Sequence, residues 1–231
     1  MRMMVVFEKG YDLRFIGHLD LMRTVQRGLR RSELPIAYSK GFNPHIRLSF
    51  AAPLSVGIIG ECELMELPLT ENIEPDVFNK QLNKALPPSL VIKDSCPLPE
   101  GYPTLMSLVA GSSYSIYLPN NAENQLLLTH FADFNALERY EITRRTKKGD
   151  NLCDIKPFVI STEYDATPEE IHISLRTQQL QEGTLKPMLW LTAFATYANC
   201  PCPPSRIIRT HILAKSPRDR LVPMEDVIHA G

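Results

Sequence analysis

The chain has 231 residues, 44% of them hydrophobic and 22% charged, and a net charge of -1. These values are those of an ordinary globular protein and exclude a disordered or fibrous chain. No apolar run approaches the ~18 residues of a membrane span, and Glu8 and Lys9 cut the first apolar stretch short of a signal sequence. A cytoplasmic protein without membrane contact is therefore expected.

Met3 to Phe7 forms a short apolar strand. Leu19, Met22, Val25 or Gln26, and Leu29 fall at helical spacing, which predicts a helix over 18–32. Pro35 ends it, because the residue before a proline avoids helical angles. Residues 34–38 read as a second strand, and 48–53 as an extended stretch limited by Pro53. Over 61–69, Glu61, Glu63 and Glu66 alternate with apolar residues, which predicts a strand with one wet face. Pro75 opens a helix running to Leu86, with Phe78, Leu82, Ala85 and Leu86 as its apolar stripe. Pro87-Pro88 ends it, and a strand starts at Leu90.

The order so far is β-α-β-β-α-β, the split βαβ or ferredoxin-like plan. Residues 97–113, rich in Pro, Gly and Ser, read as a boundary. A second round follows. Strands are predicted at 114–118, 139–146, 152–160, 171–176 and 207–213, and helices at 122–134 and 187–197. Lys147-Lys-Gly149-Asp-Asn carries hairpin-turn chemistry. The expected fold is α+β, with two tandem ferredoxin-like domains at 1–98 and 113–214, a linker at 99–112 and a polar tail at 215–231 that is loose at its end.

Five cysteines without a secretory signal argue for free thiols. Cys200-Pro-Cys202 is the one close pair, and a single intervening proline makes it a poor chelate. The chain has no Cys-x3-Cys-x2-Cys, so it cannot alone hold an iron–sulfur cluster that needs three local thiolates. No cofactor and no metal are expected in this chain. Charge is uneven: residues 1–50 carry nine Lys/Arg against four Asp/Glu, and 51–100 carry three against eight. Such asymmetry points to a polyanion partner more than the total does.

The candidate site lies in the first fifty residues. Arg23, Arg27, Arg30 and Arg31 share one helix face, and Lys40 and Arg47 follow in a loop. Arginine binds phosphate in a planar, bidentate manner, so the face suits a nucleic acid; the plain alternative is a solvated face paired with Glu61–Glu66. Asp20 complements the helix dipole, and His18 either caps the helix or converges with His45 as an acid–base pair; a metal held by the two histidines and Asp20 is the remaining alternative. In Gly41-Phe42-Asn43-Pro44-His45, Gly41 permits a positive φ and Pro44 fixes the loop. Phe42 is expected to plug the core; the other reading is a stacking face for a base. Arg144 and Arg145, with Lys147 and Lys148, make a second basic patch that is either a soluble hairpin tip or a finger for nucleic acid. Asp154, Lys156 and Lys186 read as polar residues that tie the second half together.

Phe15-x-x-His18-Leu-Asp20-Leu-x-Arg23 followed by Gly41-Phe-Asn-Pro-His45-x-Arg47-x-Ser49-Phe50 resembles the uncharacterised bacterial radical-SAM-linked family, a domain fused to or encoded beside a radical SAM protein. Asp154-Ile-x-Pro157 and Lys186-Pro187 resemble further family positions. Gly17 departs from a usual Ser, Lys40 from Gln and Ile46 from a second Pro. The resemblance implies a radical SAM partner that carries the cluster, and an RNA-related task. Three functions stand as expectations: an accessory RNA-binding or substrate-presenting module for that partner, a metal-independent phosphodiester hydrolase or transferase using His18 and His45, and a protein–protein adaptor.

Overall fold

The computed structural model describes residues 1–146 and 149–229. The chain is α+β. It divides into two units, Met1–Ala110 with Arg209–Gly231, and Gly111–Ile208.

The first unit holds β1 (Arg2–Lys9), α1 (His18–Arg31), β2 (Ser49–Phe50), β3 (Ile58–Pro68), α2 (Pro75–Ala85), β4 (Leu90–Leu98) and α3 (Leu105–Leu108). Strand β1 pairs antiparallel with both β3 and β4, and β2 pairs antiparallel with β3. Met3, Val5 and Phe7 of β1 face one core, where Leu21, Val25 and Leu29 of α1 meet Phe78 and Leu82 of α2. Met4 and Val6 face a second core with Leu64, Leu98 and Leu105. Both faces of β1 are therefore covered, which is why its sequence is a continuous apolar run and not an alternating one.

Several expectations are corrected here. Residues 34–38 form no named strand; the isolated bridges Ile36↔Leu69 and Tyr38↔Ile46, the Thr70 N–H donating to the Pro35 carbonyl, and the burial of Leu34 and Ile36 hold them. Leu19 is exposed, and the buried stripe of α1 is Leu21, Val25, Gly28 and Leu29, since i, i+4, i+7 and i+8 stay on one helical face. Glu63 and Glu66 do not face water. Both are buried because basic partners receive them: Glu63 pairs with Arg209 and Glu66 with Arg2. The Pro/Gly-rich stretch after β4 is fastened to the first unit, with Arg2 donating to the Tyr102 and Pro103 carbonyls and Leu105 fully buried.

The second unit holds β5 (Gly111–Pro119), α4 (Ala122–Leu128), α5 (Phe131–Ala136), β6 (Glu141–Thr146), β7 (Gly149–Asp154), β8 (Val159–Ala166), β9 (Glu170–Gln178) and α6 (Pro187–Tyr197). Strand β9 lies between β5 and β8, antiparallel to both, and β6 and β7 form a separate hairpin. Ile116, Leu118, Ile171, Ile173 and Leu175 point into a core filled by Phe131, Phe134, Trp190 and Phe194. The expected helix over 122–134 is two helices. Thr129 turns its hydroxyl back to the Leu126 carbonyl at 2.7 Å, and the chain bends at His130. The expected strand over 152–160 is likewise split by a 3-10 turn at Lys156–Phe158 that contains Pro157.

Strand β10 (Arg206–Lys215) leaves the second unit and enters the first. The tail after it is built into the first unit, as β11 (Leu221–Pro223) on β10 and α7 (Met224–His229). Met224 and Ile228 are buried against Met4 and Leu64. The polar tail is thus part of the cover of the sheet's second face.

Candidate functional site

Helix α1 starts at His18 after Gly17, and no side chain caps it. The His18 ring instead stands edge-on to Phe50 of β2, with centroids 5.4 Å apart. This contact brings the two motif stretches together, because Phe50 lies three residues beyond Arg47. Asp20 pairs with Arg23 at 2.9 Å on the exposed side of the helix. Arg27 and Arg30 are exposed on that side, and Leu19 is 63% exposed beside them. Arg31 turns to the Ala85 carbonyl at the end of α2, at 2.6 Å.

The loop that follows is closed at its neck. Ser39 N–H donates to the His45 carbonyl (2.8 Å), His45 N–H donates to Ser39 Oγ (3.1 Å), and Ser39 Oγ meets His45 Nδ1 at 2.7 Å. Buried Ile46 anchors the exit. Gly41 has φ +129, a conformation that side-chain-bearing residues rarely adopt, so the loop reverses there. Everything from Lys40 to His45 is exposed. Phe42 does not plug the core: its relative exposure is 106%, a bare ring at the loop tip. Lys40, Asn43 and Arg47 are exposed beside it, and their side chains make no hydrogen bond or ion pair with the described residues. Pro44 stiffens the same tip. Among the described residues no ring contact joins His18 and His45; one packs on Phe50 and the other closes the loop.

Sequence reasoning missed a neighbouring cluster. The Arg14 guanidinium lies over the Tyr11 ring at 3.4 Å and the Phe15 ring at 4.3 Å, and both rings are exposed. Beneath it, Lys9 is 1% exposed and gives its ammonium to the Arg14 and Ile16 carbonyls. Burial pushes its pKa down, and nearby Glu63 opposes that shift. Lys9 follows an apolar strand in the sequence and looks like its solvated end. The fold buries it because the 10–17 loop wraps over it.

In the second unit, Arg144 Nη1 lies 3.9 Å from Cys153 Sγ, at the edge of a cleft of about 650 Å³ also lined by Asp154 and Glu182. Arg145 belongs to β6, but its side chain lies outside the described residues, as do Lys147 and Lys148. Asp154 accepts from the backbone N–H groups of Tyr140 and Lys156, at 3.0 and 3.1 Å. Lys156 donates to the Phe134 and Asn135 carbonyls, and burial lowers its pKa. These residues fasten the β6–β7 hairpin to α5. Lys186 is the exposed residue before α6, and its carbonyl accepts from Leu189 and Trp190. On the half-exposed face of the sheet, His172 bridges Asp165 and Ser115, each at 3.0 Å, with Tyr117 stacked on the ring.

Fold and site together define an α+β protein that displays an aromatic, cationic loop near its amino end. Residues 2–187 match the family described as "Uncharacterized protein conserved in bacteria (DUF2344)", and the chain belongs to that family. No curated protein matches it. Among the described residues no helix is long and apolar enough to cross a membrane.

Proposed function

We propose that the chain is an accessory RNA-binding or substrate-presenting module that acts with a radical SAM partner in RNA modification or processing. The observation that carries this reading is Phe42, a fully exposed ring on a closed loop between exposed Lys40 and Arg47. Single strands are held by aromatic platforms for the bases and cations for the backbone. Arg27 and Arg30 add guanidinium groups suited to phosphate. The radical SAM partner rests on the motif resemblance. Exposed Phe15 and Leu19 supply the apolar area that a protein contact needs. The binding reading is preferred to hydrolysis because each imidazole already serves packing or loop closure.

We read the architecture as two tandem ferredoxin-like units. In the first, the order β4-β1-β3 with β2 beside β3 supports this, all pairs being antiparallel. In the second, β5-β9-β8 with helices after β5 and β9 supports it, the β6–β7 hairpin being an insertion.

The test is fluorescence anisotropy with a single-stranded RNA of about 12 nucleotides. Phe42→Ala is expected to weaken binding about five- to hundredfold, the worth of one stacked base, and to leave the melting temperature unchanged. Equal affinity for the variant and the parent chain would refute the reading.

A further inference from the structure

The first unit carries a cluster that the RNA-binding reading does not use. Cys62 on β3, His211 on β10 and Glu225 on α7 each bring one donor atom to a common point. The three atoms lie within 4.8 Å of one another, and His211 Nε2 stands 3.7 Å from Glu225 Oε1. All three residues are half-buried.

We propose that Cys62, His211 and Glu225 form a binding site for a transition-metal dication, with Zn²⁺ as its best fit. A thiolate, an imidazole and a carboxylate are the donors that zinc takes, whereas magnesium and calcium take oxygen alone. In a tetrahedral site with Zn–S near 2.3 Å and Zn–N near 2.0 Å, neighbouring donors stand about 3.3–3.6 Å apart. The His211–Glu225 separation already approaches that edge. Closing the triangle takes side-chain movements of about 1 Å. Three protein donors leave the fourth position to water or a substrate atom.

The architecture gives the metal a purpose. Helix α7 has six residues, far fewer than the ~12 that sustain an isolated helix. It covers the core through Met224 and Ile228. A metal held jointly by β3, β10 and α7 clips this C-terminal segment onto the sheet. The electrostatic surroundings fit a cation: Glu61 adds negative charge, and Lys93, the nearby positive group, is engaged by Glu8 at 2.8 Å. Two of the three donors lie beyond the residues that the family model matches. The site also departs from the sequence expectation of no metal, because its donors are 149 and 163 positions from Cys62 and form no motif.

The test is metal content and Co²⁺ spectroscopy on the full chain. After dialysis against Zn²⁺ and then buffer, one zinc per chain is expected. The Co²⁺ form is expected to show a thiolate-to-cobalt charge-transfer band. Cys62→Ser removes the band, and His211→Asn and Glu225→Gln each weaken Co²⁺ binding at least about tenfold. Cys200→Ser/Cys202→Ser leaves the band intact. Circular dichroism accompanies each variant, and if Cys62→Ser fails to fold, the other two carry the decision. No retained zinc, a band that survives Cys62→Ser, or one that vanishes only with Cys200→Ser/Cys202→Ser would overturn the proposal.

Discussion

Glu63 and Arg209 stand 146 positions apart in the chain and meet at 2.8 Å in the interior of the first unit. Arg209 also donates to the Ala52 and Pro53 carbonyls, so its donors are spread over two segments. Such a pair is costly to assemble and costlier to break, because removing one partner strands a buried charge. Arg209→Met should therefore lower the stability of the folded chain by about 3–5 kcal/mol in urea unfolding. A loss under about 1 kcal/mol would mean that Glu63 finds water or another cation. Nothing local in the sequence announces this pair. Glu63 sits in a stretch that alternates charged and apolar residues, and that pattern is the same whether the charged side is wet or roofed by a distant arginine. Phe42 shows the converse. Its flanking Gly41, Asn43 and Pro44 marked a loop correctly, but an aromatic residue carries no label for inside or outside. The closure by Ser39 and His45 decided it by turning the tip outward.

At the scale of elements, β5 depends on one glycine. A Cβ on Gly111 would stand 2.2 Å from the Thr177 carbonyl oxygen of β9, and backbone cannot step aside cheaply. Gly111→Ala should cost about 1–3 kcal/mol and lower the melting temperature by several degrees. An unchanged melting temperature would show that β5 and β9 separate freely at this end. Elements with an apolar stripe or run bounded by breakers were legible: β1, α1, α2, β4, β5 and α6 fall where the sequence places them. Breaks within a predicted element are set by single side chains, Thr129 between α4 and α5 and Pro157 between β7 and β8. The buried stripe of α1 was placed at Val25 and Leu29 but shifted at its start: Leu19 is exposed, Met22 packs only partly against the core, and only tertiary contact tells Leu19 from the buried Leu21.

Across the molecule, the first unit is completed by the end of the chain. A sheet covered on both faces needs two sets of apolar residues, and the second set includes Met224 and Ile228 from α7. The polar composition of 214–231 hides this, since Met224, Val227 and Ile228 suffice when they face the core. The charge distribution was the plainest signal in the sequence. The nine Lys/Arg of residues 1–50 split between tasks: Lys9 is buried, Arg2 and Arg31 hold backbone carbonyls, Arg14 lies over the Tyr11 ring, Arg23 pairs with Asp20, and Arg27, Arg30, Lys40 and Arg47 are exposed.

Those four cations are the central claim, and the salt dependence of single-stranded RNA affinity tests them most directly. Between about 50 and about 200 mM salt, log affinity should fall linearly with log salt at a slope near −3, about −0.7 for each of four phosphates contacted. Lys40→Glu/Arg47→Glu should weaken binding and reduce the magnitude of that slope by about 1.4. No measurable binding by the parent chain, or a slope that the double variant leaves unchanged, would contradict the account.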